Sequence, residues 1–277
     1  LYLIKLLSIA FDLLLAWSSM KLVSHFYNSI GVRIFTFFAV LFLPTVILNG
    51  AYWGQCDSIY AAFGVLALYL AFTDRPVGAM ICFAASFAFK LQAVFLLPII
   101  AVLWYRHRFS LWHALIFPAA YFVIVLPAVL MGRPLSDTLT LYLNQTGSIG
   151  GGLNYNSPSV FSFFLSSADP VFWSRVGILA AFAAMVIILV WLYRNRGSLR
   201  DETVLTAAVL FVVVIPFLLP HMHDRYFFCA DVLSLIFAVI FPRLCFVPAL
   251  CQFASLLGYH AYLKGRYLYP MSYGATA

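Results

Sequence analysis

Two long apolar runs are joined by a short charged link in Ser174–Leu219, which reads SRVGILAAFAAMVIILVWLYRNRGSLRDETVLTAAVLFVVVIPFLL. A helix needs about 20 mostly apolar residues to cross the hydrocarbon core of a bilayer. The runs Ser174–Tyr193 and Thr203–Leu219 have about this length, and the link between them carries three arginines. The stretch therefore predicts two membrane-spanning helices connected by a basic turn.

The same pattern extends over the whole chain. Of its 277 residues, 65% are hydrophobic and 9% are charged, whereas soluble domains carry about 25% charged residues. A chain this apolar requires lipid as its main solvent. Because no polar linker interrupts the apolar runs, we expect one all-α polytopic transmembrane domain over residues 1–277. Further spanning helices are predicted at Leu3–Val23, Val32–Asn49, Ser58–Phe72, Leu111–Leu130, Tyr226–Phe241 and Cys245–Leu263.

The formal net charge of +7 does not indicate a nucleic-acid partner. The Lys and Arg residues stand at the ends of apolar segments, where they determine membrane topology, rather than in a basic stripe. The five cysteines are scattered and lack the spacing of metal ligands, so we interpret them as small packing residues. We expect neither a metal ion nor another cofactor.

The stretch Pro76–Tyr105 fits either one long tilted helix with a buried Lys90 or two short helices. Cytoplasmic loops carry the excess of Lys and Arg, and Arg75 and Arg106 flank the stretch. If both flanks are cytoplasmic, the chain between them crosses an even number of times, which favours two short helices and a turn at Phe89-Lys90. The total is then about ten membrane-embedded segments. The two short helices are predicted at Pro76–Ala88 and Leu91–Tyr105.

The remaining links fall on the non-cytoplasmic face of a plasma (inner) membrane. They are Gly50–Asp57, the turn at Lys90, the long loop Met131–Trp173, and Pro220–Arg225. Three features are predicted inside the long loop. They are an interfacial helix at Pro134–Leu143, a flexible loop at Gly147–Pro158, and the triplet Asn144-Gln145-Thr146, which matches a glycosylation acceptor but also arises by chance.

Ionisable groups near a membrane core are costly and indicate function, and three polar clusters fall on this external face. The first is Trp53–Ser58, WGQCDS, which precedes a spanning helix. In one interpretation, Asp57 and Ser58 only cap that helix and Trp53 belongs to an interfacial aromatic belt. In the other, Trp53, Gln55 and Asp57 supply the aromatic face, the amide and the carboxylate that bind a sugar.

The second cluster is Phe89-Lys90-Leu91-Gln92, which lies within apolar sequence. The Lys90 ammonium group must find water, a carboxylate or another anion. It reaches water by extending its chain to the interface, and a phosphate is an alternative partner because ammonium and phosphate form a strong charge-assisted bond.

The third cluster is Pro220–Tyr226, PHMHDRY, the densest group of polar residues in the chain. His-x-His-Asp offers three types of metal ligand, and a plain loop between helices is a further interpretation. An anion site is the third: Arg225 would hold a phosphate through two bonds, and His223 would hydrogen-bond or protonate it.

A lipid-linked sugar phosphate combines the partners that these clusters predict. Lys90 and Arg225 indicate a phosphate, and Trp53 and Asp57 indicate a sugar. In glycosyl transfer the leaving phosphate gains negative charge, which fixed cations stabilise, and a carboxylate must accept the proton of the attacking hydroxyl.

Four segments resemble motifs of the multi-spanning GT-C glycosyltransferases, and the bacterial relatives of the GPI mannosyltransferases are the most similar group. The glucosyltransferases of N-glycan assembly are more distantly similar. Asp224 stands where the family usually has Glu. The segments, in the family's order, are Asn49–Ala61 (Gly-Gln-x-Asp), Phe89–Ala93 followed by Leu97-Pro98 (Phe-Lys-x-Gln), Asn156–Phe161 (Asn-Ala-Pro-Ser) and Met222–Tyr226 (Met-His-Glu-Arg-Tyr).

The resemblance implies an inverting hexosyltransferase that uses a polyprenyl-phosphate sugar and acts on a glycan, lipid or protein acceptor. It also implies that the catalytic carboxylate lies in a first external loop, upstream of Leu1. We therefore expect the 277 residues to lack an N-terminal helix and that loop, and to show no turnover alone. Asp57 is the candidate base within the chain. The substrate-binding residues are expected to be Trp53, Gln55, Asp57, Lys90, Gln92, Asn156, His223, Asp224, Arg225 and Tyr226.

A polytopic transporter or a flippase for lipid-linked sugars is the alternative class. Such a protein also has polar residues at depth, here Asp12, Lys90 and Asp231, and the sequence leaves open whether the two aspartates pair with neighbouring helices or face a site. Transporters often contain inverted repeats with helices broken at matching positions, and no such symmetry is visible here. A purely structural membrane subunit would leave Lys90 and the His223–Arg225 cluster unexplained.

Overall fold

The computed structural model describes residues 2–142, 151–164 and 169–277, and most of these residues are helical. The α-helices in chain order are α1 Tyr2–Phe26, α2 Ile30–Leu41, α3 Pro44–Ile47, α4 Asp57–Phe72, α5 Pro76–Phe89, α6 Ile99–Tyr105, α7 Leu111–Ala114, α8 Ile116–Leu130, α9 Leu135–Leu139, α10 Pro170–Arg194, α11 Asp201–Leu218, α12 Phe228–Ile240, α13 Phe246–Lys264 and α14 Met271–Thr276. A π-helix occupies Leu48–Trp53, and 3₁₀ turns occupy Leu91–Phe95, Val160–Phe163, Arg196–Ser198 and Pro242–Leu244.

Several helices are long and apolar enough to cross a membrane, which confirms the prediction of a helical membrane protein. Within the described residues, five such segments are Tyr2–Phe26, Leu111–Leu130, Pro170–Arg194, Asp201–Leu218 and Pro242–Lys264. A bent pair, Ile30–Leu41 with Pro44–Trp53, passes the same test together. Shorter apolar helices lie at Asp57–Phe72, Pro76–Phe89, Leu91–Tyr105 and Phe228–Ile240.

The predicted helix Val32–Asn49 is wrong in one respect, because it is broken and turns by 46°. Helix α2 ends before Pro44, whose ring removes a backbone donor and clashes with the preceding turn. The helical path then continues through the π-helix to Trp53. The predicted external link Gly50–Asp57 is thus shorter than expected, and it begins at Gly54, which has a φ of 80° that glycine adopts without strain.

Contacts between α1 and α4 define two ends of the helix bundle. Asp12 of α1 accepts a hydrogen bond from Ser58 at the start of α4, while the ring of His25 lies 5.5 Å from that of Phe72 at the other end. The two helices are therefore parallel. We name the two ends of the bundle the Asp57 end and the Asp201 end.

The chain reverses direction at Lys90. Helix α5 ends at Phe89, and Lys90 is extended, with φ −157° and ψ 134°. Arg108, just after α6, contacts the carboxylate of Asp74, just before α5. Because both flanks of the stretch meet at the Asp201 end, the two-helix prediction is confirmed and the single tilted helix is wrong.

Asp201 holds three side chains together at its end of the bundle, those of two arginines and one histidine. It lies 2.7 Å from His25 Nε2 and 3.7 Å from Arg108 Nη2, and it also contacts Arg106 Nη1. These residues come from the end of α1, the start of α11 and the link after α6. The network therefore fixes the relative positions of three segments that are distant in sequence.

The expectation of a purely α-helical chain needs one correction. Asn154-Tyr155 pairs in parallel with Met222-His223 as a two-stranded sheet, so this part of the predicted flexible loop is ordered against the third cluster. A backbone bond of 2.7 Å from His221 N to the Leu153 carbonyl extends the pairing. Residues 143–150 lie outside the described residues, and with them the triplet Asn144-Gln145-Thr146. The predicted interfacial helix is represented by Leu135–Leu139.

Candidate functional site

Asp57 is the centre of a polar cluster at the Asp57 end. Its carboxylate is buried at 1% exposure in the first turn of α4. It accepts a hydrogen bond of 2.6 Å from Asn49 Nδ2, contacts Lys90 Nζ and lies 3.8 Å from Arg225 Nε. The capping interpretation of Asp57 is wrong, because no side chain caps α4 and this carboxylate is occupied by residues from three other segments.

Asn49 links Asp57 to the last spanning helix. Its amide nitrogen also donates to the Tyr259 hydroxyl, at 2.9 Å, and both side chains are fully buried. Asn49 lies within the Gly-Gln-x-Asp segment but is not among the predicted site residues. Its signal in the sequence is an amide in an apolar run, which requires hydrogen-bond partners when it is buried. Tyr259 lies in an unremarkable apolar helix, and no local signal indicated its role.

Asp12 supports the cluster from α1. It accepts a hydrogen bond from Ser58, and its carboxyl group packs directly on the backbone of Gly50, where any side chain would overlap it. Nearby, Ser8 Oγ donates to the Gln55 carbonyl at 2.7 Å. The backbone N–H of Gln55 donates to the backbone carbonyl of Asn49 at 2.8 Å. Gln55 therefore contributes to this region through its backbone.

Arg225 lies between Asp57 and the aromatic wall predicted from the sequence. Its guanidinium carbon is 5.1 Å from the centre of the Trp53 ring, a cation–π distance, and Trp53 stacks on Tyr262 at 4.5 Å. Trp53 therefore positions Arg225 as well as offering an aromatic surface. Arg225 Nε is buried and has no hydrogen-bond partner among the described residues. Two cations, Lys90 and Arg225, thus lie beside the Asp57 carboxylate.

The other residues of the third cluster surround Arg225. Asp224 is buried at 1% exposure, and its Oδ2 has no hydrogen-bond partner within the described chain. Burial raises the pKa of Asp224 to about 6, against the opposing charge of Arg225. Burial also lowers the pKa of His223, as does the Arg225 charge to a smaller extent. The protonation state of Asp224 therefore changes the electrostatic environment of the Arg225 guanidinium group.

Aromatic and amide contacts hold the ends of this cluster. His223 stacks on Tyr155 at 4.8 Å with an angle of 12° between the rings. The Tyr226 hydroxyl forms a hydrogen bond with the Gln92 side chain. Burial raises the pKa of Tyr226, and this hydrogen bond opposes the increase. Gln92 follows Lys90 by two positions, so the second and third clusters meet, as the sequence predicted.

Asn156 approaches the cluster with its backbone rather than with its side chain. It forms an antiparallel bridge with His223, while its Oδ1 accepts a hydrogen bond from Tyr267. Its φ of 58° lies in the left-handed region that Asn tolerates better than most residues. Asn156 therefore contacts His223 through its backbone and Tyr267 through its side chain.

The two histidines of His-x-His diverge. His221 interacts with Ser174 Oγ at 2.9 Å and with the Gly152 carbonyl at 2.6 Å, whereas His223 stacks on Tyr155. In the described part of the chain, no three side chains of His, Cys, Asp or Glu are arranged to hold a metal ion.

Comparison of the chain with protein-family models, with curated proteins and with solved structures found no match.

Proposed function

We propose that the protein is an integral membrane glycosyltransferase that moves a hexose from a polyprenyl-phosphate donor to an acceptor at the non-cytoplasmic membrane surface. The observation that carries the proposal is the meeting of Lys90 and Arg225 at Asp57, beside Trp53. These residues come from three of the four segments that resemble GT-C motifs. The proposed fold is a GT-C-like bundle in which the shorter helices are also embedded, with the Asp57 end outside.

The pair of cations fits the reaction. The donor phosphate is a diester with one negative charge, and it becomes a monoester with more charge as the bond to the sugar breaks. Fixed cations stabilise charge that develops in the transition state more than charge already present in the donor, which is the requirement for catalysis. Arg225 Nε, which forms no hydrogen bond with the described residues, is the group that we assign to a phosphate oxygen.

We assign Asp57 a positioning role rather than that of the catalytic base. Its two oxygens already accept hydrogen bonds from Asn49 and Lys90, so it is poorly suited to accept a proton from a hydroxyl. A carboxylate held in this way keeps two long cationic side chains in a single geometry. Trp53 then lies beside the phosphate position, where the sugar of the donor begins.

A transporter or flippase of lipid-linked sugars is the second candidate. It is favoured by the buried carboxyl groups of Asp12 and Asp231, since ionisable groups inside membrane helices often lie on transport pathways. The two candidates differ in whether the bond between the sugar and the phosphate is broken.

The test uses a polyprenyl-phosphate donor labelled in the hexose, added to membranes of cells that produce the natural full-length protein, because the 277 residues alone are expected to show no turnover. A glycosyltransferase transfers the label to an acceptor and releases polyprenyl phosphate, and Lys90→Ala and Arg225→Ala each reduce this by more than about tenfold. The matched controls are Lys264→Ala and Arg243→Ala, which alter exposed cations outside the cluster. Movement of intact donor across the membrane, with no released polyprenyl phosphate, would instead support the transporter.

A further inference from the structure

A cleft of about 490 Å³ lies beside the polar cluster. Its walls come from the described part of the long loop and from the segment between α13 and α14. Among the described residues, those that line it include no Asp, Glu, Lys, Arg or His. They include Asn154, Asn156, Ser162, Tyr267, Tyr269 and Met271. A cleft of this volume is within the range of small-molecule sites.

Three side chains that line this cleft have unused capacity for hydrogen bonding or packing. Ser162 Oγ is buried and has no hydrogen-bond partner within the described chain. The Asn156 side chain uses its oxygen to accept from Tyr267, and its NH₂ group has no acceptor among the described residues. The Tyr269 side chain is 58% exposed. A hydroxyl, an amide and an accessible aromatic ring therefore surround one uncharged space.

The cleft and the polar cluster share a wall at Asn156. The backbone of Asn156 bridges to His223 on one side, and its side chain lines the cleft on the other. The Asn156 carbonyl and the Asp224 backbone both pack on Gly258, where an added Cβ would lie 2.5 Å from that carbonyl oxygen. A ligand in the cleft is therefore separated from the Arg225 cluster by about one residue layer.

We propose that this cleft binds a neutral saccharide. The C–H faces of a sugar pack on an aromatic ring, and its hydroxyls both donate and accept hydrogen bonds, which matches Tyr269, Ser162 and the Asn156 amide. The absence of charged groups among the described lining residues selects against an acidic sugar. This inference rests on the proposed function, because the proposed glycosyl transfer is what makes the bound saccharide the acceptor of the hexose. An aromatic belt at the membrane interface would also expose tyrosines, but it does not require a buried hydroxyl without a partner.

The test measures binding of a neutral hexose trisaccharide to the purified protein in lipid nanodiscs, by saturation-transfer NMR and calorimetry. Tyr269→Ala and Ser162→Ala are expected to weaken binding about five- to tenfold, because each removes one contact with the ligand. Tyr52→Ala is the matched control, since Tyr52 is 54% exposed and does not line the cleft. A second arm uses the same trisaccharide on a lipid in the nanodisc. Stronger binding in that arm identifies a glycolipid acceptor, and equal binding identifies a free or protein-linked glycan.

Three results would overturn the inference: no saccharide binding by wild-type protein, binding that both cleft variants leave unchanged, or equal weakening by Tyr52→Ala. The melting temperature of each variant is measured in parallel, so that loss of folding is not mistaken for loss of a contact. Donor binding at Lys90 and Arg225 is measured on the same samples. If the donor binds and the saccharide does not, this inference fails while the proposed function stands.

Discussion

The Lys90 ammonium group contacts the carboxylate of Asp57, which lies 33 positions earlier in the chain. The contact joins the first turn of α4 to the point where the chain reverses after α5. The Asp57 side chain is 1% exposed and that of Lys90 is 15% exposed, so both charges are largely removed from water. Removing one partner of such a pair leaves an uncompensated buried charge, whereas removing both costs less.

The first prediction therefore concerns stability. Lys90→Met is expected to destabilise the protein by about 3–5 kcal/mol, because Asp57 loses its closest cation. Lys90→Met combined with Asp57→Asn is expected to recover part of this loss, although Arg225 then lacks its carboxylate. Thermal unfolding in detergent measures both variants. A double variant that is less stable than either single variant would show that the pair is not coupled in this way.

The second prediction concerns Gly50. An alanine at this position would place a methyl group inside the Asp12 carboxyl group, which must then move away from Ser58. We expect Gly50→Ala to destabilise the protein by about 1–3 kcal/mol, a range typical of overpacked cores. The control is Gly197→Ala, because no atom lies within 4 Å of the added methyl group there. Equal melting temperatures for the two variants would contradict the described packing.

The third prediction concerns the Asp201 end. Asp201→Asn weakens the contacts to Arg106, Arg108 and His25, and we expect it to destabilise the protein by about 1–3 kcal/mol, since these side chains are partly exposed. Donor affinity should not change, because the network lies at the opposite end from Lys90. Calorimetric melting and donor binding are measured on one preparation. A large fall in affinity with an unchanged melting temperature would contradict the separation of the two ends.

The fourth prediction concerns pH. Burial raises the pKa of Asp224 from 3.8 to about 6, so the folded state holds this proton more tightly than the unfolded chain does. The Asp224 contribution to stability is therefore greatest below pH 3.8 and decreases as the pH rises to about 6, by about 3 kcal/mol. His223 acts in the opposite sense, because its pKa is lowered and folding opposes its protonation below about pH 6.5.

The measurement for this prediction is the difference in melting temperature between Asp224→Asn and wild-type protein from about pH 4 to pH 7. Asn does not ionise, so the variant should gain stability relative to wild type as the pH rises. His223 is present in both proteins, and its contribution cancels in the difference to a first approximation. A difference that does not vary with pH would mean that Asp224 does not titrate in this range.

Much of the fold was predictable from the sequence because apolar length and basic links constrain membrane helices strongly. The helix predicted at Cys245–Leu263 is observed at Phe246–Lys264, and the reversal at Lys90 followed from the positions of Arg75 and Arg106 alone. The break before Pro44 was missed, although proline is the residue that causes it. The pairing of Asn154-Tyr155 with Met222-His223 was also missed, because strands this short carry no periodicity.

The candidate site was predictable in its members but not in its contacts. An aspartate and a lysine in apolar sequence must find partners, and here each found the other. The sequence did not indicate that Trp53 would lie against Arg225, nor that the Asn156 side chain would turn towards Tyr267. Such contacts depend on how helices pack, and patterns along a single segment do not encode that packing.

The central claim is that Lys90 and Arg225 hold the phosphate of a lipid-linked sugar. It is tested most directly by the binding of polyprenyl-phosphate mannose and polyprenyl-phosphate glucose to the purified protein, with wild type compared with Lys90→Ala and Arg225→Ala. The account predicts saturable binding that each substitution weakens by about tenfold or more and that Arg243→Ala leaves unchanged. Absence of binding to folded wild-type protein, or binding that both substitutions leave intact, would contradict it.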